Sequence, residues 1–281
     1  MIVDNAVCFV ERKECANMNR EQRQQHAKEH YEDIKVRLAK ETIASIEGTN
    51  VYGPIIAARD GSQKPRMTHN LRLTDLDSVS CLFDESHEGK VCILNYASYK
   101  HPGGYFLGGS AAQEEALCHE SNLYPILLAF DDTYYTWNKD HLNRALYLNR
   151  ALYTPDVVFE HKGKTMKADV LTCAAPNFKT AHRFQNISAG YNNRVFDERI
   201  KFMYQIAEEN GVDTFILGAW GCGVFAQDPT DTCRMLTENL IKENYQIPNI
   251  HYAIPNRGSA NYIAFENCLN GMRTEKKFIP Q

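Results

Sequence analysis

The stretch HPGGYFLGGSAAQEE (residues 101–115) decides the fold. It directly follows VCILNY (residues 91–96), an apolar run that predicts a buried strand. Within it, Ser110-x-x-Gln113 is a capping-box pattern, which predicts a helix beginning at Ala111. Residues 101–110, the first glycine loop, hold two glycine pairs whose backbone N–H groups suit an anion. The order strand, loop, helix predicts an α/β unit with this loop at the strand's carboxyl end, where ligands bind.

The same order recurs later in the chain. TFIL (residues 214–217) predicts a short buried strand, and GAWGCGVF (residues 218–225) is the second glycine loop. Asp228 and Pro229 then predict a helix start, with aspartate as N-cap and proline at the first helical position. Neither loop matches a P-loop or a dinucleotide-binding fingerprint. Two such loops at one edge of a mostly parallel or mixed sheet suit a diphosphate ligand.

The remaining helices and strands are predicted from hydrophobic periodicity and from residues that begin or end such elements. Asn19-x-x-Gln22 is a second capping box and predicts a polar helix that extends to about Ile46. The predicted apolar face of that helix consists of Ile34, Leu38, Ile43 and Ile46. Strands are expected within residues 71–83, 157–160, 168–172 and 249–254, and helices over residues 193–210 and 259–269. Pro125 is expected to end or bend the helix that begins at Ala111.

The amino-acid composition excludes several classes of function. The 281 residues are 43% hydrophobic and 23% charged, as in an ordinary globular protein, and the net charge of −4 offers no basic footprint for strong nucleic-acid binding. Nine cysteines without a Cys-x-x-Cys pair argue against a disulfide framework or a zinc ribbon and favour a reducing cytoplasm. Residues 1–10 do not resemble a signal peptide, and no membrane span is expected. The histidines show no metal-ligand spacing, so we expect neither metal nor cofactor.

Several residues admit two interpretations from the sequence alone. Glu114 and Glu115 fall in a first helical turn, where the helix dipole favours acidic residues without any catalytic role. Successive helical residues point about 100° apart, so the two carboxylates cannot do the same task. Asn95 either orients a substrate hydroxyl or caps a turn, and Phe225 either packs on a ribose or base or belongs to the core. Cys222 lies near a helix start, which can lower a thiol pKa, but no partner histidine can be identified.

Several ordered blocks resemble a known family, the bacterial-type poly(ADP-ribose) glycohydrolases. The family signature is a three-glycine loop followed by Gln-Glu-Glu. The similar blocks are AKET (39–42), LNYAS (94–98), PGG (102–104), QEEALC (113–118), AAPN (174–177) and LGAWGCGVF (217–225). They occur in the family's order over roughly residues 35 to 270.

The resemblance implies a macrodomain-like, three-layer α/β fold with a mixed central sheet. It further implies an N-terminal helical extension (residues 1–50) and a catalytic domain (residues 51–281). The implied function is an ADP-ribosyl glycohydrolase that cleaves the ribose–ribose bond of poly(ADP-ribose), or a terminal or single ADP-ribose linkage, and releases ADP-ribose. It implies that Glu115 is the catalytic carboxylate, that Glu114 binds hydroxyls of the distal ribose, and that Asn95 orients this ribose. The other ligand-binding residues are then Gly103, Gly104, Tyr105, Gln113, Gly221, Cys222, Gly223, Val224 and Phe225.

One departure from the family pattern concerns the first glycine loop. Tyr105 stands where the family has its third glycine. A Cβ at this position would restrict positive φ and add bulk beside the diphosphate. Three expectations therefore remain open: the glycohydrolase, an ADP-ribose-binding reader module without turnover, and an enzyme acting on a free ADP-ribose derivative.

Overall fold

The computed structural model describes residues 18–54, 64–84 and 86–274, and a mixed seven-stranded sheet forms its centre. The strands are β1 (Asn50–Tyr52), β2 (Asn70–Thr74), β3 (Val91–Tyr96), β4 (Ala151–His161), β5 (Lys164–Cys173), β6 (Thr214–Leu217) and β7 (Asn249–Ala253). Their order is β1-β4-β5-β3-β6-β7-β2. The five strands from β5 to β2 run parallel, while β4 and β1 are joined by antiparallel pairing. The carboxyl ends of the parallel strands therefore meet at one edge.

Helices cover both faces of the sheet. They are α1 (Arg20–Arg37), α2 (Ala39–Gly48), α3 (Ser78–Asp84), α4 (Gln113–His119), α5 (Leu123–Leu128), α6 (Trp137–Asp140), α7 (Phe178–Gln185), α8 (Ala189–Glu209), α9 (Pro229–Lys242) and α10 (Ala260–Thr274). Side chains of α8, α9 and α10 form one core cluster with the sheet, and side chains of α3, α4 and α5 form another. This arrangement confirms the predicted three-layer α/β fold.

Strand β3 shows how the sequence builds the two layers. Cys92 and Leu94 belong to the cluster with α8 and α9, whereas Ile93 belongs to the cluster with α3 and α4. This alternation is the period of two expected for a strand that is buried on both faces. Asn95 continues on the face of Ile93 and so meets α4, which the next stretch of chain forms.

The N-terminal helical segment is confirmed in part. Asn19 and Gln22 form the predicted capping box, with each side chain accepting the other residue's backbone N–H at 2.9 Å. The segment is two helices instead of one, because Leu38 leaves helical geometry (φ −109°, ψ 24°) between α1 and α2. Ile34 and Leu38 are buried as predicted. Ile43 is 55% exposed, so its assignment to the apolar face is wrong.

Other predicted boundaries were wrong for local reasons. Residues 71–83 are strand only in β2, because Asp77 Oδ1 accepts two backbone N–H bonds at 2.9 Å and so caps α3. Helix α4 begins at Gln113 instead of Ala111, and no side chain caps its first turn. Pro125 neither ends nor bends α4, since it lies in the first turn of α5, where its missing N–H costs nothing. Helix α8 begins at Ala189, four residues before the predicted start, because Ser188 caps it.

The segment from residue 131 to 150 received no sequence prediction. It forms a π-helix (Asp131–Thr136), α6 and an irregular loop. In this loop Asn143, Arg144, Ala145 and Tyr147 all have positive φ. The buried guanidinium of Arg199 holds this loop by donating to the carbonyl oxygen of Tyr147 (3.0 Å) and to that of Ala174 beyond β5 (2.5 Å). One α8 side chain thus joins the irregular loop to the carboxyl end of the sheet.

Among the described helices, none is both long and apolar enough to cross a membrane. The expectation that residues 1–10 are not a signal peptide lies outside the described residues.

Candidate active site

The two glycine loops emerge side by side. Strands β3 and β6 are parallel neighbours, paired from Val91 and Thr214 onward, and each loop leaves the carboxyl end of its strand. The predicted placement of both loops at one sheet edge is therefore confirmed. Helix α4 begins beside them, and its first turn carries Glu114 and Glu115.

Glu114 is buried in a set of polar contacts. Its Oε2 accepts the backbone N–H of Ser98 at 2.6 Å, and its Oε1 accepts from Nδ2 of Asn95 at 3.3 Å. The same Asn95 nitrogen contacts Oγ1 of Thr172, its partner in the β3–β5 register, at 3.3 Å. Burial raises the pKa of Glu114 well above its usual range, and the neighbouring Glu115 carboxylate raises it further. The hydrogen bonds from Ser98 and Asn95 oppose this shift, because they favour the ionised form.

Glu115 is held by the first glycine loop. Its Oε1 accepts the backbone N–H of Tyr105 at 2.8 Å, and the residue is 5% exposed. Its Oε2 is buried and has no hydrogen-bond partner among the described residues. One oxygen of the carboxyl group is thus fixed by the loop, and the other makes no hydrogen bond among the described residues.

Two glycines of the loop are required by the side chains behind them. Gly103 and Gly104 have φ of +63° and +62°, the left-handed region that disfavours a side chain. A Cβ on Gly104 would lie 2.4 Å from Oε1 of Glu115, and one on Gly103 would lie 2.7 Å from the Tyr124 ring. The glycine pair therefore lets the backbone come close to the carboxylate.

Tyr105 does not carry the strain that the sequence suggested. Its φ is −116°, which any residue adopts, so a third glycine is not needed here. Its side chain is 59% exposed and turns back over Gly108, where a Cβ would come within 1.9 Å of the tyrosine ring. The guanidinium carbon of Arg20 lies 5.7 Å from the centroid of the same ring.

A cavity of about 580 Å³ extends between the loops and helices. Its lining includes Gln113 and, from the second glycine loop, Gly221, Gly223, Val224 and Phe225, together with Tyr96, Trp220, Ile254 and residues of α3. The other predicted site residues (Asn95, Gly103, Gly104, Tyr105, Glu114, Glu115 and Cys222) are not part of this lining. The structure therefore places the second glycine loop in the cavity wall. Glu114 and Glu115 lie outside this lining, next to the first glycine loop.

Gln113 joins α4 to the end of β3. Its Oε1 accepts the Tyr96 N–H at 2.9 Å, and its Nε2 donates to the Leu94 carbonyl at 2.9 Å and to Ser78 Oγ at 3.1 Å. These bonds use the polar atoms of the amide within the protein. Gln113 thereby fixes the first turn of α4, and with it both glutamates, against the strand.

The second glycine loop has its own required glycine. Gly221 has a φ of +78°, and a Cβ there would lie 2.8 Å from the Gln227 side chain and 2.9 Å from Ala175. Phe225 is half-buried, and its ring meets that of Tyr147 at 6.4 Å between centroids. Burial raises the pKa of the Cys222 thiol to about 12, so this cysteine is a neutral group near physiological pH.

Sequence reasoning missed several contacts at this site. Tyr96 lines the cavity, and its hydroxyl is buried without a partner among the described residues. Thr172 and Ser98 hold Asn95 and Glu114, but only the strand register and the path of the turn reveal this. No group of three potential metal-ligating side chains occurs in the part of the chain that the structure describes.

Comparisons with known proteins agree with this geometry. The sequence profile described as "Microbial-type PARG, catalytic domain" matches residues 18–161, just over half of the chain. A comparison with curated proteins finds no match.

Solved structures of two bacterial proteins share the fold. Poly(ADP-ribose) glycohydrolase (PARG) from Thermomonospora curvata has 24% identity and a TM-score of 0.75, over 89% of this chain and 100% of that one. The same protein bound to the inhibitor ADP-HPD gives a TM-score of 0.76, at 24% identity over 88% and 99% of the two chains. PARG from Deinococcus radiodurans in complex with ADP-ribose has 26% identity and a TM-score of 0.72, over 82% and 98%.

Proposed function

Because the chain belongs to the microbial-type PARG family and is a glycosidase of that class, we propose that Glu115 acts as its general acid and base. The observation that carries this proposal is the Glu115 carboxyl group itself. Its Oε1 is fixed by the Tyr105 N–H at 2.8 Å, while Oε2 is buried and unpartnered among the described residues. A carboxyl group that is oriented through one oxygen can transfer a proton through the other.

The proposed reaction is hydrolysis of the bond between two riboses. Oε2 of Glu115 gives a proton to the departing oxygen as positive charge develops on the distal ribose. The resulting carboxylate then takes a proton from water, which attacks the oxocarbenium-like carbon. ADP-ribose and a shortened acceptor are the products, and Glu115 ends protonated, as it began.

The neighbouring residues bind the distal ADP-ribose unit in this proposal. Glu114, whose pKa burial raises, binds ribose hydroxyls, and Asn95 orients the same ribose from the end of β3. The diphosphate lies along the second glycine loop, where Gly221, Gly223 and Val224 line the cavity. Phe225 packs beside the ribose at the cavity wall. Support comes from the shared sheet edge of both loops and from the ADP-ribose and ADP-HPD complexes of the structural relatives.

We propose poly(ADP-ribose) as the substrate, cut at its terminal unit. Tyr105 raised the main doubt about polymer processing, but its φ is ordinary and its side chain is not part of the cavity lining.

The seven cysteines that the structure describes carry free thiols, which supports a reducing cytoplasmic setting.

The test is Glu115→Gln, assayed for ADP-ribose release from poly(ADP-ribose) and from a mono-ADP-ribosylated protein. We expect kcat to fall by roughly 10²–10⁴-fold, the usual contribution of a general acid. ADP-ribose affinity, measured by calorimetry, should change little because glutamine keeps the size of the side chain. Glu238→Gln on α9, whose carboxylate pairs with Lys242 of the same helix, is the control and should keep wild-type activity.

Three other outcomes of these assays would contradict the proposal. Full activity of Glu115→Gln would show that another group performs the proton transfer. A wild-type protein that binds ADP-ribose tightly and releases none from any linkage would instead be a reader module. Release from the mono-ADP-ribosylated protein alone would overturn the polymer assignment.

A further inference from the structure

Side chains of α1 bind Gly108 and Gly109 in the second half of the first glycine loop. Nε of Arg20 and Nε2 of Gln24 both donate to the carbonyl oxygen of Gly108, each at 3.1 Å. Nε of Arg23 donates to the carbonyl oxygen of Gly109 at 2.9 Å. Three side chains in the first two turns of one helix therefore hold two adjacent peptide groups of the loop.

The backbones of α1 and the loop are also in direct contact. Gly109 has a φ of +75°, and a Cβ there would lie 2.4 Å from the backbone oxygen of Arg20. The Tyr105 ring lies over Gly108 with the Arg20 guanidinium beside it. The loop segment is therefore packed tightly against α1.

A short chain of hydrogen bonds leads from this contact to the carboxylate. The N–H groups of Gly108 and Ser110 donate to the carbonyl oxygen of Tyr105 at 3.0 and 3.2 Å. The Tyr105 N–H in turn donates to Oε1 of Glu115 at 2.8 Å. Tyr105, whose N–H orients Glu115, is thus bonded through its carbonyl oxygen to Gly108 and Ser110, the residues on either side of the peptide groups that α1 holds.

We propose that Arg20 and Gln24 are positioning residues for the hydrolysis: through Gly108 they keep the Tyr105 N–H aligned with Glu115. The inference rests on the proposed role of Glu115. It makes α1 a working part of the active site, although α1 belongs to the predicted N-terminal extension (residues 1–50). The division into residues 1–50 and 51–281 itself stays a prediction.

The test is the double variant Arg20→Met/Gln24→Met, which removes both donors to Gly108 and keeps side chains of similar length. A displacement of about 1 Å at a reacting group costs on the order of 10²-fold, so we expect kcat to fall roughly 10- to 100-fold. The Kd for ADP-ribose should change less than about threefold, since neither residue lines the cavity. With lysine instead of methionine at position 20, the variant Arg20→Lys/Gln24→Met should recover most of the activity, because an ammonium group also donates to a carbonyl.

Arg37→Met is the matched control. Arg37 also joins α1 to the body of the protein, through Glu160 of β4 at 2.6 and 2.7 Å, but it does not touch the loop. It should lower the melting temperature without a change in kcat beyond about twofold. An equal fall in kcat in both variants would mean that α1 serves only to stabilise the fold, and would overturn the proposal.

A second measurement does not depend on turnover. Amide hydrogen exchange at Tyr105, followed by NMR, should speed up by at least about tenfold in the double variant and stay unchanged in Arg37→Met. Unchanged Tyr105 exchange in the double variant would refute the positioning role even if activity were lost. If the wild-type protein lacked turnover, the exchange result would still decide whether α1 holds the Tyr105 amide, and the proposed function alone would fail.

Discussion

Gly104→Ala should separate backbone strain from damage to the carboxylate. A left-handed alanine costs about 1–2 kcal/mol at φ +62°. The new Cβ would start 2.4 Å from Oε1 of Glu115, and ordinary contact begins at 3.4 Å, so the oxygen must retreat by about 1 Å. That shift breaks the 2.8 Å bond from the Tyr105 N–H, and an ordinary hydrogen bond contributes about 0.5–1.5 kcal/mol. We expect a total loss of about 1.5–3.5 kcal/mol in unfolding free energy and roughly 10²-fold in kcat.

Gly163→Ala is the matched control for this prediction. Gly163 in the β4–β5 turn has a φ of +77°, and a Cβ there would meet no atom within 4 Å. It should lose only the strain, about 1–2 kcal/mol by urea unfolding, and keep wild-type kcat for ADP-ribose release. If Gly104→Ala kept kcat within threefold of wild type, the close approach of the loop to Glu115 would not matter for the chemistry. Equal stability losses in the two variants would show that the carboxylate moves aside without cost.

Three further predictions concern His119, Arg199 and Cys222. Burial lowers the pKa of His119, which lies 2.9 Å from His26, to about 3, so below pH 6.5 the unfolded chain binds a proton that the folded chain does not. This group should therefore lower the stability by about 1.4 kcal/mol per pH unit from pH 6.5 toward 3, and His119→Gln should remove that contribution; identical pH dependences of urea unfolding in the two proteins would contradict this. Arg199→Met should cost about 3 kcal/mol or more, since the Ala174 and Tyr147 carbonyls lose buried donors; a loss below 1 kcal/mol in urea would refute it. Alkylation of Cys222, followed by mass spectrometry, should keep accelerating from pH 8 to 11, because its pKa is about 12; a plateau near pH 9 would be inconsistent.

The parts of the fold that sequence predicted well are those with local causes. Strands β3 and β6 are short apolar runs bounded by glycine loops, and both lie where expected. The Asn19 capping box and the Asp228 cap also formed, since each needs only residues three positions apart. The similar pattern at Ser110 failed because its own N–H is bound by the Tyr105 carbonyl in the preceding turn, and α4 begins only after it.

The sequence pointed to the residues of the candidate active site but not to the contacts that support them. The family resemblance pointed to Asn95, Glu114 and Glu115, and the structure brings these three together at one sheet edge. Thr172 contacts Asn95 only because β5 pairs with β3 in one register, which no local pattern reveals. The contact between Arg20 and Gly108 spans 88 residues of sequence, and a polar surface helix gives no sign of it.

That separation in sequence has a consequence for how the protein is made. Helix α1 leaves the ribosome before the other described elements, but it has almost no apolar face of its own and buries only Ala27, His30 and Ile34. Its partners Gly108, Gly109 and Glu160 are synthesised 84 to 123 residues after the side chains that bind them. An isolated helix of this kind is marginal in water, and distant contacts form late because closing a long loop costs entropy. We therefore expect α1 to be among the last of the described elements to dock, so that the first glycine loop of a nascent chain becomes fixed only after the sheet behind it has folded.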